Sequence, residues 1–132
     1  MRQIKEIIIH CTATPEGRNH TVGDIDRWHK QKGWDEIGYH FLIDINGEIM
    51  QGRNIEKAGI HTVGHNANSI AICYVGGCDK NMRTKDTRTP VQAIAIRKLA
   101  NDLKIKYPGV KVYGHRDFNA TDCPGFDVHT QL

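Results

Sequence analysis

Ile4 to His10 holds a short run of β-branched residues that gives way to Thr12-Ala13-Thr14-Pro15, the pattern of a buried strand ending at His10. A long polar loop follows. Thr21 with Asp24 three positions on resembles a capping box, and Ile25, Trp28 and His29 recur at helical spacing until Gly33, which predicts a first helix over about Val22 to Lys32. Gly38 to Met50 contains two β-rich stretches around Asn46-Gly47, a dipeptide that tolerates the positive φ of a tight turn, so a hairpin is expected there. Ser69 to Val75 is another apolar strand, closed by Gly76-Gly77. After a charged loop, Thr89 caps and Pro90 opens a second helix. Its apolar stripe reads Val91, Ile94, Ala95, Leu99 and Leu103, and it stops near Tyr107-Pro108-Gly109. Val110 to Tyr113 forms a last strand that delivers His115 at its end, and the tail beyond Cys123 has room for one helical turn at most.

Strands that alternate with helices, plus one hairpin, imply an α/β layer architecture: a single domain over residues 1–132 with a central mixed β-sheet flanked by helices. At 132 residues, 39% hydrophobic and 25% charged, the chain is long enough to bury a core of its own. No repeat, linker or low-complexity segment interrupts it.

Charge and cysteine content narrow the function classes. The net charge of +3 is mild, and Lys and Arg are scattered without a basic run or an aromatic ladder, so no nucleic-acid surface is expected. No stretch has the apolar length that spans a bilayer, and the opening Met1-Arg2-Gln3-Ile4-Lys5-Glu6 does not resemble a secretory signal, so synthesis in the cytoplasm is expected. In that reducing setting Cys11, Cys73, Cys78 and Cys123 are expected as free thiols or metal ligands, although Cys73 and Cys78 are close enough in sequence to pair across a turn.

Three residues carry the candidate chemistry. His10, His115 and Cys123 each read as lying just past a strand end, where ligands collect in α/β sheets. Two imidazoles and a thiolate are donors that zinc prefers, and three protein ligands leave a fourth position for water, as catalytic sites require. Each also has a plainer reading: a strand-end histidine satisfied by its neighbours, or a cysteine acting as a small buried hydrophobe.

Local sequence shifts the balance. Ile8-Ile9-His10-Cys11-Thr12-Ala13-Thr14, Trp28-His29-Lys30-Gln31-Lys32-Gly33-Trp34, Gly38-Tyr39-His40-Phe41, Asn68-Ser69-Ile70-Ala71-Ile72, Gly114-His115-Arg116-Asp117 and Cys123-Pro124-Gly125-Phe126-Asp127 together resemble the phage-type, zinc-dependent N-acetylmuramoyl-L-alanine amidases, which share their fold with animal peptidoglycan recognition proteins. The likeness runs from about residue 7 to 128. It implies that His10, His115 and Cys123 are zinc ligands, that Tyr39 is catalytic, and that the substrate is the amide joining N-acetylmuramic acid to L-alanine in peptidoglycan. Strand alternation points the same way for the tyrosine. Tyr39, Phe41 and Ile43 would share one face and His40, Leu42 and Asp44 the other, so only one of Tyr39 and His40 can face a metal.

Thr121 stands where many phage members carry a lysine, and active recognition proteins can use threonine there. The resemblance therefore makes Thr121 a second catalytic candidate, able to donate a hydrogen bond to an oxyanion but bringing no positive charge. Gly59-Ile60-His61 resembles a cleft-lining stretch, with a surface histidine as the plainer expectation, and Arg53 is expected as a solvated arginine that could meet a stem-peptide carboxylate. Cys11 and Cys73 are both expected to point away from the metal. The partners expected are muropeptides, met by a monomer after release or export, with neither nucleic acid nor membrane involved. Two rivals remain: a non-catalytic peptidoglycan-binding module, and a cysteine hydrolase built on Cys123 and His115.

Overall fold

In the computed structural model, which describes residues 2–132, Ile7-Ile8-Ile9 forms the middle of β1 (Glu6–Cys11), and all three side chains are shielded from water. A strand apolar on both faces suits a sheet covered on both sides. β1 starts two residues later than expected and runs on through Cys11, so His10 sits inside it rather than at its end. β2 (Thr14–Pro15) follows, then α1 (Val22–Gln31), β3 (Phe41–Ile43), β4 (Ile49–Gln51), β5 (Ser69–Tyr74), β6 (Gly77–Cys78), α2 (Pro90–Lys106), β7 (Lys111–Gly114) and α3 (Val128–Gln131).

Five strands make the central sheet in the order β4-β3-β5-β1-β7, and β2 and β6 form a separate parallel pair. β1 lies parallel to both β5 and β7, β3 is parallel to β5, and the hairpin strand β4 is antiparallel to β3. This is the mixed sheet the pattern predicts. Asp44 fixes the hairpin turn by accepting the Asn46 and Glu48 backbone N–H groups at 2.9 and 3.0 Å, while Gly47 takes the expected positive φ of 80°.

Both long helices carry the caps their sequences promise. Thr21 accepts from the Asp24 N–H and Thr89 from the Gln92 N–H, and in each case the side chain three residues on returns the bond. α2 covers one face of the sheet, packing Ile96, Leu99, Ala100 and Leu103 on Ile7, Ile9, Ile70 and Ile72. Its buried stripe is rotated from the one expected. Val91 and Ile94 are 48% and 64% exposed, and Gln92 takes the inward place because its amide has partners there.

The other face carries α1, with Ile25, Ile37, Leu42, Cys73 and Val75 between helix and sheet. In parallel register His10 stands beside Cys73, and Cys73 beside Leu42, so these three side chains share this face. That corrects the expectation for Cys73, which lies on the same side as His10 and is buried there. Cys11 does point to the α2 side. All four cysteines are free thiols, so Cys73 and Cys78 do not pair. No helix among the described residues is long and apolar enough to cross a membrane.

Candidate metal and catalytic site

Three different parts of the chain bring His10, His115 and Cys123 together, with one ligand atom from each lying within 4.8 Å of the others. His10 comes from inside β1 and is 1% exposed. His115 is the first residue after β7 and opens a 3-10 turn (His115–Asp117), which Asp117 holds by accepting the Gly114 N–H at 2.8 Å. Cys123 does not lie just past a strand end, contrary to expectation, since the preceding strand ends at Gly114. It lies in the loop before α3, stapled to the same turn by the Arg116 N–H on its carbonyl at 2.8 Å and to β1 by the Cys11 N–H on its Sγ at 3.2 Å.

The nitrogen atoms of the two histidines have divided roles. His10 Nδ1 is 3.8 Å from Cys123 Sγ, while its Nε2 lies 2.9 Å from His61 Nδ1 and 3.3 Å from Thr62 Oγ1. His61 passes the connection on, with Nε2 at 3.1 Å from the buried Ser69 hydroxyl. His115 Nε2 is 2.9 Å from Asn119 Oδ1. Each imidazole thus has one nitrogen engaged by the protein and leaves the other available, the arrangement that fixes ligand tautomers at metal centres.

Burial sets the protonation states. It pushes His10 well below the ordinary histidine range, assisted by His61 and His115, and it also lowers His115. Both rings are therefore neutral at pH 7, the form that ligates. Contact with Cys11 and then burial push the Cys123 thiol upward, so a thiolate at this place calls for a cation beside it. Two neutral imidazoles and one thiol are a donor set that can hold a metal.

Tyr39 stands next to the cluster, its ring centroid 5.2 Å from that of His10. α1 holds the segment that presents it: Asp26 accepts the Ile37 N–H at 2.8 Å and His29 Nδ1 the Gly38 N–H at 2.9 Å. Only glycine fits at 38, since a Cβ there would stand 2.1 Å from the Ile60 carbonyl oxygen. Burial, with Cys73 next in effect, raises the Tyr39 phenol well above the ordinary tyrosine range. The alternation argument for Tyr39 fails in detail. Phe41 and Ile43 face α2, whereas Tyr39 packs with the α1-side residues, because strand geometry begins only at Phe41.

His40 points elsewhere, as expected. Its Nδ1 accepts the Ala71 N–H at 3.0 Å, its Nε2 meets the Lys57 carbonyl at 2.8 Å, and it is fully buried. Thr121 is exposed, and its Oγ1 accepts the Cys123 N–H at 3.3 Å. His61 is no free surface histidine, being half-buried against His10. Arg53 is 4% exposed rather than solvated: it donates to the Ile37 and Ala58 carbonyls at 3.0 and 2.9 Å and pairs with Asp35. Beside Tyr39 a cavity of about 160 Å³ is lined by Thr12, Ile25, Trp28, His29 and Lys32.

Sequence reasoning missed Asn119, Thr62 and Ser69, and the part His29 plays in holding Gly38. Asn119 has a weak local signal, four residues after His115. Thr62 and Ser69 meet His10 and His61 only through the fold, and His29 meets Gly38 where α1 packs on the segment before β3.

Layered helices on a mixed sheet, with a His-His-Cys cluster that could hold a metal beside a protonated tyrosine, are the features of a hydrolase. The chain belongs to the N-acetylmuramoyl-L-alanine amidase family, whose pattern matches residues 1–126. It is 36% identical over 127 residues to the endolysin of Klebsiella phage KP32, covering 96% of this chain and 84% of that protein. With the endolysin of Escherichia phage T7 the identity is 38% over 122 residues, 92% of this chain and 81% of the relative. The solved N-acetylmuramoyl-L-alanine amidase LysC from Clostridium intestinale URNW superposes with a TM-score of 0.83 at 33% identity, covering 96% of this chain and 79% of that one.

Proposed function

We propose that this chain is a zinc-dependent amidase that hydrolyses the bond between N-acetylmuramic acid and L-alanine in bacterial peptidoglycan. The observation that carries the reading is the convergence of one donor atom each from His10, His115 and Cys123 within 4.8 Å, while His10 Nε2 and His115 Nε2 are engaged by His61 and Asn119. Tetrahedral zinc, at about 2.0–2.1 Å from nitrogen and about 2.3 Å from sulfur, sets such donors roughly 3.5 Å apart. The 3.8 Å between His10 Nδ1 and Cys123 Sγ suits that spacing.

When bound, zinc supplies Lewis-acid polarisation of the scissile carbonyl and a lowered pKa for attacking water. The chain's own residues do the rest. Tyr39, kept protonated by its buried setting, donates a hydrogen bond to the oxyanion and can pass a proton to the leaving amine. Thr121 adds a second donor, because its hydroxyl accepts from Cys123 N–H and keeps its own proton free. The cavity beside Tyr39 is placed to receive part of the muropeptide. Every group in this scheme comes from one chain, so a monomer suffices. The substrate lies in the wall, which the enzyme reaches by release or export.

Metal analysis with turnover on purified wall tests the assignment. One zinc per chain is expected, and Cys123→Ala should lose metal and activity together. A metal-free Cys123→Ala protein with full activity would overturn it. Activity that survives a chelator but not a thiol alkylator would support the cysteine-hydrolase alternative, and zinc binding without turnover the recognition module.

A further inference from the structure

Resting on that reading of the metal centre, we propose that Asn119 is a positioning residue: its side-chain amide fixes the tautomer and ring angle of His115 and ties that ligand to the segment that already holds His10. His115 leaves the sheet at the end of β7, and four residues later Asn119 Oδ1 lies 2.9 Å from His115 Nε2. The amide orientation follows from its second contact. Asn119 Nδ2 reaches the Val63 carbonyl at 3.5 Å, and a carbonyl can only accept, so nitrogen faces Val63 and oxygen faces the histidine. An amide oxygen likewise only accepts. His115 therefore carries its proton on Nε2, which leaves Nδ1 as the nitrogen with a lone pair free to ligate. The Asn119 backbone N–H also donates to the His115 carbonyl at 3.2 Å, which fixes the distance along the turn.

His61, Thr62 and Val63 are consecutive. The first two engage His10 Nε2 at 2.9 and 3.3 Å, and the third receives Asn119. One short segment thus serves as the frame for both imidazoles, directly for the histidine of β1 and through Asn119 for the one after β7. Neutrality is the further point. A carboxylate at 119 would hold the same proton but add negative charge to a centre where one thiolate already brings a divalent ion down to about +1, and so would weaken its pull on a carbonyl. An amide orients without that cost.

Two variants separate positioning from simple support. Asn119→Ala should weaken zinc binding about 10- to 100-fold in competition with a chromophoric chelator. The metal-free melting temperature should hold, and long-range proton–nitrogen NMR of metal-free protein should show His115 moving from the Nε2–H form to a tautomer mixture. Asn119→Asp should keep the Nε2–H form and bind zinc at least as tightly as wild type, yet turn over more slowly when saturated with zinc. Unchanged His115 tautomer and zinc affinity in Asn119→Ala would overturn the proposal. So would equal weakening in both variants with a matching fall in metal-free melting, which marks Asn119 as structural. A wild-type chain that binds no zinc would defeat the metal-centre reading instead, while the tautomer measurement still decides whether Asn119 fixes His115.

Discussion

Tyr39 and Thr121 are assigned the same task from different surroundings. Tyr39 is half-buried among ring systems, its centroid 5.3 Å from that of His29, and its proton is held tightly. Tyr39→Phe should retain zinc and fold but cut turnover by about 10²- to 10³-fold, the usual effect of losing one oxyanion donor. Turnover equal to wild type would remove the residue from the mechanism. Thr121 is exposed; its hydroxyl meets the Cys123 N–H, and its own N–H donates to the Asn119 carbonyl at 2.9 Å. Thr121→Val should lower turnover about ten-fold to a thousand-fold with zinc content unchanged, and Thr121→Lys should be tolerated or faster at low salt, where an added positive charge is least screened. Identical rates for all three proteins would leave Thr121 with no chemical part. At this scale the sequence was informative about which donors the fold gathers, since His10, His115 and Cys123 stand in recognisable settings and do come together. It was uninformative about Arg53, whose burial depends on the Ile37 and Ala58 carbonyls, and nothing in its own neighbourhood announces them.

α2 shows how an element can be legible in extent and misread in orientation. Thr89, Pro90 and the Tyr107-Pro108-Gly109 end gave its limits because caps and breakers are local chemistry. Its buried face was harder, because Gln92 reads as polar. Inside, the Gln92 amide nitrogen reaches the Ile43 and Val75 carbonyls at 3.3 and 2.9 Å while its oxygen accepts the Thr89 N–H at 2.9 Å, so a glutamine joins the helix cap to the last residue of β3 and the residue just after β5. Gln92→Leu keeps the volume but removes these bonds, and should destabilise the fold by about 1–3 kcal/mol in urea titrations. A stability equal to wild type would mean that the strands satisfy those carbonyls unaided.

Protonation acts on the molecule as a whole. Burial lowers His40 from 6.5 to about 4, and the ring is locked between the Ala71 N–H and the Lys57 carbonyl. Between those two values the unfolded chain binds the proton that the native chain refuses, so stability rises with pH across the interval. The contribution is complete above 6.5 and disappears as pH falls through about 4. Thermal melts of metal-free protein should therefore steepen their decline below pH 6.5, by at most about 1.4 kcal/mol per pH unit for each such group. His40→Gln, which keeps an acceptor and a donor, should flatten the profile, and an unaltered slope would assign the effect to other groups.

The proposed ligands also have a mechanical meaning. Cys123 and His10 stand 113 residues apart in sequence, yet their donor atoms are 3.8 Å apart in space. An ion gripped by both converts an open thread into a ring that encloses nearly all of the domain, the same topological service a disulfide performs, and in this chain no disulfide performs it. Loading zinc to a thousand times its dissociation constant should add about 4 kcal/mol of stability, so a chelator added to halt catalysis would also unfasten the first strand of the sheet from the last loop of the site.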